Sequence, residues 1–220
     1  EKPLKGQKVL VTGGATQERW DDIRYLTNRS SGRMGLALAQ AAWFMGAQVT
    51  LLAGPSAARP DFDLPDLTIE GIESTQDLLL AVKNHLPGAF ALMMNAAPAD
   101  FSPAEKIPGK INKSEKPITS LALARTPDIL LEVGPLKANT LMIGFAAEDK
   151  DLLERSKEKL LRKNLDFIAA NQAGGPQSAF GSDSIELTLV SSKLNHKKIG
   201  PATKFQAAWS LWQTITQGWS

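Results

Sequence analysis

Three groups of residues in this chain have types and spacings that could do chemistry. The stretch Asn28-Arg29-Ser30-Ser31-Gly32-Arg33-Met34-Gly35 is a polar, glycine-punctuated turn immediately ahead of an apolar helix pattern. It follows Val9-Leu10-Val11-Thr12-Gly13-Gly14, which reads as a buried strand running into a glycine-rich loop. A helix N-terminus offers backbone N–H groups and a favourable dipole to an anion, so this pairing predicts a phosphate-bearing ligand. Gly13-Gly14 is neither a Walker loop nor a G-x-G-x-x-G pattern, but its position suggests a Rossmann-like site; the alternative is that the glycines only let the chain turn. Asn28 could hydrogen-bond a reacting carbonyl or close a local turn. Ser30 and Ser31 could cap the helix, touch phosphate, or both.

The other two groups are lysines. Lys106, Lys110 and Lys113 lie in an irregular stretch beside Asp100. A lysine on a flexible segment is a useful point charge for phosphates and for a pentacoordinate transition state; the alternative is a solvated surface loop. Lys159 and Lys163 are four apart and share a helix face. Like charges there repel unless an anion sits between them or Glu154 and Glu158 pair with them. His85 and His196 have no partners at metal-ligand spacing.

Alternating strand and helix patterns must position these groups. Residues 8–12, 48–53, 66–72, 89–95, 140–146 and 167–170 read as strands, several of them near-continuous apolar runs suited to burial on both faces. Residues 31–45, with a serine cap, 75–86, capped by Ser74, and 152–164 read as helices, and 127–132 start another with Pro127 near the N-terminus. Residues 185–191 alternate like a strand with one exposed face. Residues 203–219 form a helix carrying Trp209, Trp212 and Trp219, which pack a terminal helix or an oligomer contact. This rhythm predicts an α/β, Rossmann-like, mostly parallel sheet flanked by helices, with a small strand extension. Residues 96–117 break it with four prolines and four lysines, and a loop that long inside a compact domain is usually functional or disordered. In open sheets of this kind ligands bind beyond the carboxyl ends of the strands. Gly13-Gly14, residues 95–100, residues 145–148 and Asn171 all meet there.

The bulk numbers bound the reading. The 220 residues suit one domain over 1–220, with a flap at about 101–117 and a terminal helix at about 203–219. A formal net charge of +2, spread along the chain, is too small to argue for nucleic acid. With no cysteine, a thiolate nucleophile, thiolate metal site or disulfide frame is impossible, consistent with a cytoplasmic location. No apolar run approaches the roughly 18 residues of a membrane span. The start has neither a signal-peptide pattern nor an initiator Met, which suggests a part of something longer.

Six segments, in order, carry a resemblance. They are Thr12-Gly13-Gly14-Ala15-Thr16-Gln17-Glu18, Arg24-Tyr25-Leu26-Thr27-Asn28-Arg29-Ser30-Ser31-Gly32-Arg33-Met34-Gly35, Ala96-Ala97-Pro98-Ala99-Asp100-Phe101, Thr126-Pro127-Asp128-Ile129-Leu130, Gly144-Phe145-Ala146-Ala147-Glu148 and Arg162-Lys163-Asn164-Leu165-Asp166. Together they resemble bacterial phosphopantothenoylcysteine synthetase, usually the C-terminal half of a bifunctional flavoprotein of coenzyme A biosynthesis. The resemblance implies a CTP-dependent phosphopantothenate–cysteine ligase acting through an acyl-cytidylate, with Mg2+ offsetting the triphosphate charge. It further implies a homodimer, with the phosphopantothenate site completed by the partner subunit, and a flavin-dependent decarboxylase half outside this chain.

The roles it implies are specific. Asn28 matches the asparagine that holds the acyl-cytidylate carbonyl, and Lys110 the flap lysine that reaches the α-phosphate. Met94, Asn95, Ala96 and Asp100 match base and ribose contacts. Arg125, Thr126, Pro127 and Asp128 match a further nucleotide-binding segment, Phe145 a residue packing at the cytidine, and Lys159 and Lys163 a phosphate-binding pair. Gly14 and Ala97 line the phosphopantothenate side. Two departures stand out. The flap reads Lys110-Ile111-Asn112-Lys113 where Lys-Ile-Lys-Lys is usual, and Asp100-Phe101-Ser102 stands for Asp-Tyr-Arg. A nicotinamide-dependent reductase would need an acidic ribose-binding residue after the second strand, and Ala53-Gly54-Pro55 offers none. A non-catalytic regulatory subunit would predict loss of Asn28 or Lys110, and both are present.

Overall fold

A computed structural model describes residues 2–61, 63–111, 120–173 and 184–219. Six strands follow the apolar runs: β1 (Lys8–Gly13), β4 (Gln48–Ala53), β5 (Leu67–Gly71), β6 (Ala91–Met94), β9 (Leu141–Glu148) and β10 (Phe167–Gln172). All six pair in parallel. Two antiparallel strands, β11 (Ser184–Ser191) and β12 (His196–Thr203), extend the sheet beyond β10. The spatial order is β12-β11-β10-β9-β6-β1-β4-β5. Counting the parallel strands alone, this is 3-2-1-4-5-6, the dinucleotide-binding order whose topological switch falls between β1 and β6.

Two short hairpins sit outside the sheet: β2 (Gln17–Arg19) with β3 (Tyr25–Thr27), and β7 (Phe101–Pro103) with β8 (Leu123–Arg125). β7 lies in the stretch expected to be irregular, and β8 just beyond it. Five helices, α1 (Arg33–Phe44), α2 (Thr75–His85), α3 (Ile129–Val133), α4 (Leu152–Arg162) and α5 (Lys204–Thr216), complete the described chain, with a short 3-10 turn at Gly134–Leu136.

The sheet is buried on both faces, as its apolar strands require. Val9, Val11, Met93 and Ile143 face a core shared with α1 and α5, which pack against one another. Trp212 of α5 is fully buried there and donates its indole N–H to Leu38 O at 3.0 Å. Leu10, Leu92, Met142 and Ile168 face the second core, built with α2, α3 and α4. Trp219 stacks on Phe167 and Trp209 tilts on Phe205, so these indoles serve the terminal helix.

Three local expectations are corrected. α1 starts after Gly32, which takes the left-handed conformation at φ 66°, and no side chain caps it. Ser30 Oγ instead accepts from Gly32 N at 3.4 Å, shaping the loop rather than the helix end. Pro127 stands two residues before α3, whose cap is Asp128, accepting from Leu131 N. β9 and β10 run on through Glu148 and Gln172, so Phe145 and Asn171 lie within strands rather than beyond them. α2 begins as expected at Ser74, in a reciprocal capping box with Asp77, a device worth about 1 kcal/mol.

Candidate active site

The floor of the site is the switch point. Ala97 N donates to Gly14 O at 2.8 Å, and Ala15 bridges Ala97 in parallel. The loops that leave β1 and β6 are thereby joined. Thr12 Oγ1 reaches across as well, donating to Met94 Sδ and accepting from Ala96 N at 2.9 Å. α1 comes down close on this floor. A β-carbon at Gly35 would lie 2.7 Å from Gly13 Cα, so glycine at Gly35 is what lets the helix start approach the strand end.

Behind the floor is a polar cluster that the spacing of residues in the sequence does not announce. Glu18 is 4% exposed. It accepts from both the N–H and the hydroxyl of Thr75 at 2.8 Å, at the first turn of α2. Thr16 Oγ1 lies 3.1 Å from Thr75 Oγ1 and accepts from Ala99 N at 2.9 Å. Thr126 donates its hydroxyl to Ala99 O and its N–H to Asp100 O. Four segments, from the β1 loop to the start of α3, are therefore tied around residues 96–100. A carboxylate at a helix N-terminus is favoured by the dipole.

Asn28 follows β3 directly and is exposed. Its side-chain amide donates to Pro98 O at 2.9 Å, which sets it beside the loop that carries Ala96, Ala97 and Asp100. Lys110 is also exposed, and among the described residues no hydrogen bond or ion pair holds its ammonium. The segment around it is fixed to the β2–β3 turn. Ile107 N donates to Trp20 O at 3.0 Å, Asp22 N to Gly109 O at 3.3 Å, and Gly109 N to Asp22 Oδ2 at 3.0 Å. Ile111 N reaches Asp21 Oδ2 at 3.3 Å, and Arg24 Nη2 reaches Ile111 O at 3.4 Å. Asp21 is buried. Burial pushes its carboxyl up, but N–H donors from Ile23, Arg24 and Ile111, with the Arg24 guanidinium, hold it on balance below the ordinary value. Burial pushes the Asp77 carboxyl up, but hydrogen bonds from Ser74 and Glu73, helped by the charge of Lys106, hold it below the ordinary value. Lys113, like Asn112, lies outside the described residues.

The remaining cations gather near α4. Lys163 caps its end and lies 2.8 Å from Asp128 Oδ2. Lys159 pairs with the buried Glu148, which Arg155 also approaches at 3.6 Å. Neither lysine pairs with Glu154 or Glu158, the alternative that their spacing left open; Glu154 is taken by Lys157. Their partners are instead Asp128, the cap of α3, and Glu148, the last residue of β9. Phe145 is set apart from these lysines. It is half-buried against the core on the α1 and α5 side, on the opposite face of β9. Arg125 is exposed at the end of β8. His85 contacts Glu70 at 2.7 Å, and His196 is exposed on β12.

Residues 4–218 match the family described as DNA/pantothenate metabolism flavoprotein C-terminal domain. The chain belongs to that family. It is similar to the coenzyme A biosynthesis bifunctional protein CoaBC of Bacillus subtilis (strain 168), at 34% identity over 213 residues, 97% of this chain and 52% of that protein. It is also similar to a cysteine/cysteine sulfinic acid decarboxylase from an unknown prokaryotic organism, at 36% identity over 209 residues, 94% of this chain and 57% of that protein. In three dimensions it resembles the crystal structure of the C-terminal domain of a CoaBC protein. The TM-score is 0.82 at 32% identity, covering 99% of this chain and 97% of that one. The chain spans about half the length of the curated relatives it matches.

Within this flavoprotein C-terminal domain, Asn28, Gly14, Met94 to Ala97, Asp100 and Thr126 lie in one connected neighbourhood. Lys110 joins it through the hairpin that also carries Asn28. The pair Asp128–Lys163 stands at the start of α3, and Lys159 at the end of β9. No three His, Asp or Glu side chains among the described residues converge to hold a metal ion. No helix among them is long and apolar enough to cross a membrane.

Proposed function

We propose that this domain condenses 4'-phosphopantothenate with L-cysteine at the expense of CTP, as the ligase part of a longer protein of coenzyme A biosynthesis. The observation that carries the reading is the family match over residues 4–218, with relatives that include CoaBC. The β2–β3 hairpin, whose turn holds the main chain on either side of Lys110 and whose second strand is followed by Asn28, supports it.

In the first step a carboxylate oxygen of phosphopantothenate attacks the α-phosphorus of CTP, and the bond to pyrophosphate breaks. Lys110 is the point charge for the developing negative charge at that phosphorus. Lys159, Lys163 and Arg125 balance the rest of the triphosphate, and Phe145, Asp100 and residues 94–96 hold the nucleoside. In the second step the cysteine amine attacks the acyl carbon, the C–O bond to CMP breaks, and the amine sheds a proton. Asn28 donates to the acyl carbonyl oxygen there, with Gly14 and Ala97 against the pantothenate side. Mg2+ supplies charge offset on the triphosphate. Most of the protein's contribution is then positioning.

The working unit we propose is a cytoplasmic homodimer, joined in the full protein to a flavin-dependent decarboxylase. Ile23, Tyr25, Phe101 and Leu123, exposed apolar side chains on the two small hairpins, support self-association. The test is direct. The chain is incubated with CTP, Mg2+, phosphopantothenate and cysteine, and pyrophosphate and the amide product are assayed, with ATP replacing CTP in parallel. Amide and CMP formation with CTP is expected; no product with either nucleotide overturns the reading.

A further inference from the structure

We infer that Asp21 is a positioning residue that holds Lys110 against the hairpin carrying Asn28; the inference rests on the roles proposed for those two residues.

Each Asp21 oxygen has its own task. Oδ1 accepts from Ile23 N at 2.8 Å and Arg24 N at 2.6 Å, closing the turn between β2 and β3. Oδ2 accepts from Arg24 Nη1 at 2.8 Å and from Ile111 N at 3.3 Å. Arg24, oriented by that carboxylate and lying 5.6 Å over the Trp20 ring, returns a hydrogen bond to Ile111 O. Gly109 is fixed on the other side of Lys110 by two hydrogen bonds with Asp22. Lys110 is thus pinned through both neighbours while its ammonium stays free among the described residues. β3 begins directly after Arg24 and ends at Thr27, and Asn28 follows.

The chemistry gives this a purpose. Lys110 and Asn28 serve successive steps on one α-phosphate and acyl group, so their separation has to match a single intermediate. A flexible lysine ammonium is a poorly aimed charge, and misplacement by about 1 Å can cost 10²-fold. Fixing the main chain at residues 109 and 111 narrows the reach of the side chain without occupying its charge. Asp21 touches neither substrate nor reacting atoms; it acts through the Ile111 amide and the Arg24 guanidinium.

The experiment is a double-mutant cycle on the whole chain, using Asp21→Asn, Lys110→Ala and both together, with amide exchange followed at residues 107–111. Asp21→Asn is expected to slow CTP-dependent pyrophosphate release by about tenfold to a hundredfold and to speed exchange at residues 107–111. In the Lys110→Ala background the same change is expected to add little, because its effect runs through Lys110. Multiplicative losses in the double variant, or unchanged exchange in Asp21→Asn, overturn the inference. A folding defect would multiply with Lys110→Ala and raise exchange throughout the sheet, so it is distinguished. If Lys110→Ala alone leaves pyrophosphate release unaltered, the role given to Lys110 falls, while exchange at 107–111 still reads the contact made by Asp21.

Discussion

Lys163 Nζ lies 2.8 Å from Asp128 Oδ2, so the cation at the end of α4 meets the carboxylate that caps α3. Half-exposed pairs of this kind contribute about 0–1 kcal/mol, and an arriving phosphate can claim the lysine at little cost. Lys163→Ala is therefore expected to change the melting temperature only slightly. It should weaken CTP binding by calorimetry about tenfold or more, the loss of a hydrogen bond to a charged group. Unchanged affinity would remove Lys163 from the nucleotide site. Asp128→Asn keeps a capping oxygen for Leu131 N and should leave α3 in place.

Asn28→Asp tests the second step. The substituted carboxylate cannot donate to an acyl carbonyl oxygen, so acyl-cytidylate should form and persist. Mass spectrometry of the quenched mixture would show it, and absence of the intermediate under turnover would count against the role of Asn28.

Gly35→Ala tests the floor. Its β-carbon would meet the Gly13 main chain at 2.7 Å, so α1 or the end of β1 must shift. Overpacking of this sort costs roughly 1–3 kcal/mol. A lower urea midpoint with an unchanged slope is expected, together with weaker ligand binding. A variant as stable as the parent would show that the close approach is not needed.

Acid should loosen the contact between Asp21 and Ile111 before it unfolds the sheet. Asp21 and Asp77 both have carboxyls held below their ordinary value. A depressed folded value means the stabilisation is present above the unfolded carboxylate pKa of about 4 and is lost as pH falls through the folded value. The melting temperature should therefore fall as pH drops below about 4, with less slope in Asp21→Asn. Equal slopes in the two proteins would rule out Asp21 as a contributor.

The parts of the fold legible in the sequence were those written in long apolar runs. β4 runs from Gln48 to Ala53 and α2 begins after Ser74, each where the residues put them. β2, β3, β7 and β8 have three residues apiece, too few for alternation to register. β12 was hidden by Lys197, Lys198, Gly200 and Pro201, residues poor in strand preference that an edge tolerates. The serine ahead of α1 misled because Gly32 could reach a backbone conformation that a serine rarely adopts. In the candidate site, Asn28 and the loop after β6 stood out by composition. The contacts of Glu18 with Thr75, and of Asp21 with Ile111, did not. They join positions 57 and 90 residues apart, and only the folded chain brings them together.

Gly14, Gly32 and Ala57 compete for one small volume. A β-carbon on Gly14 would come 2.7 Å from Ala57 Cβ, and one on Gly32 2.8 Å. Both glycines also have positive φ, at 82° and 66°. In a lineage that accumulates substitutions, a clash at one position is often relieved by shrinking its neighbour. Here the neighbour is already alanine, and trimming it to glycine would leave the backbone strain at the other two. The three positions therefore have almost no compensated route between them, and a side chain at either glycine would force the main chain of its own loop to move.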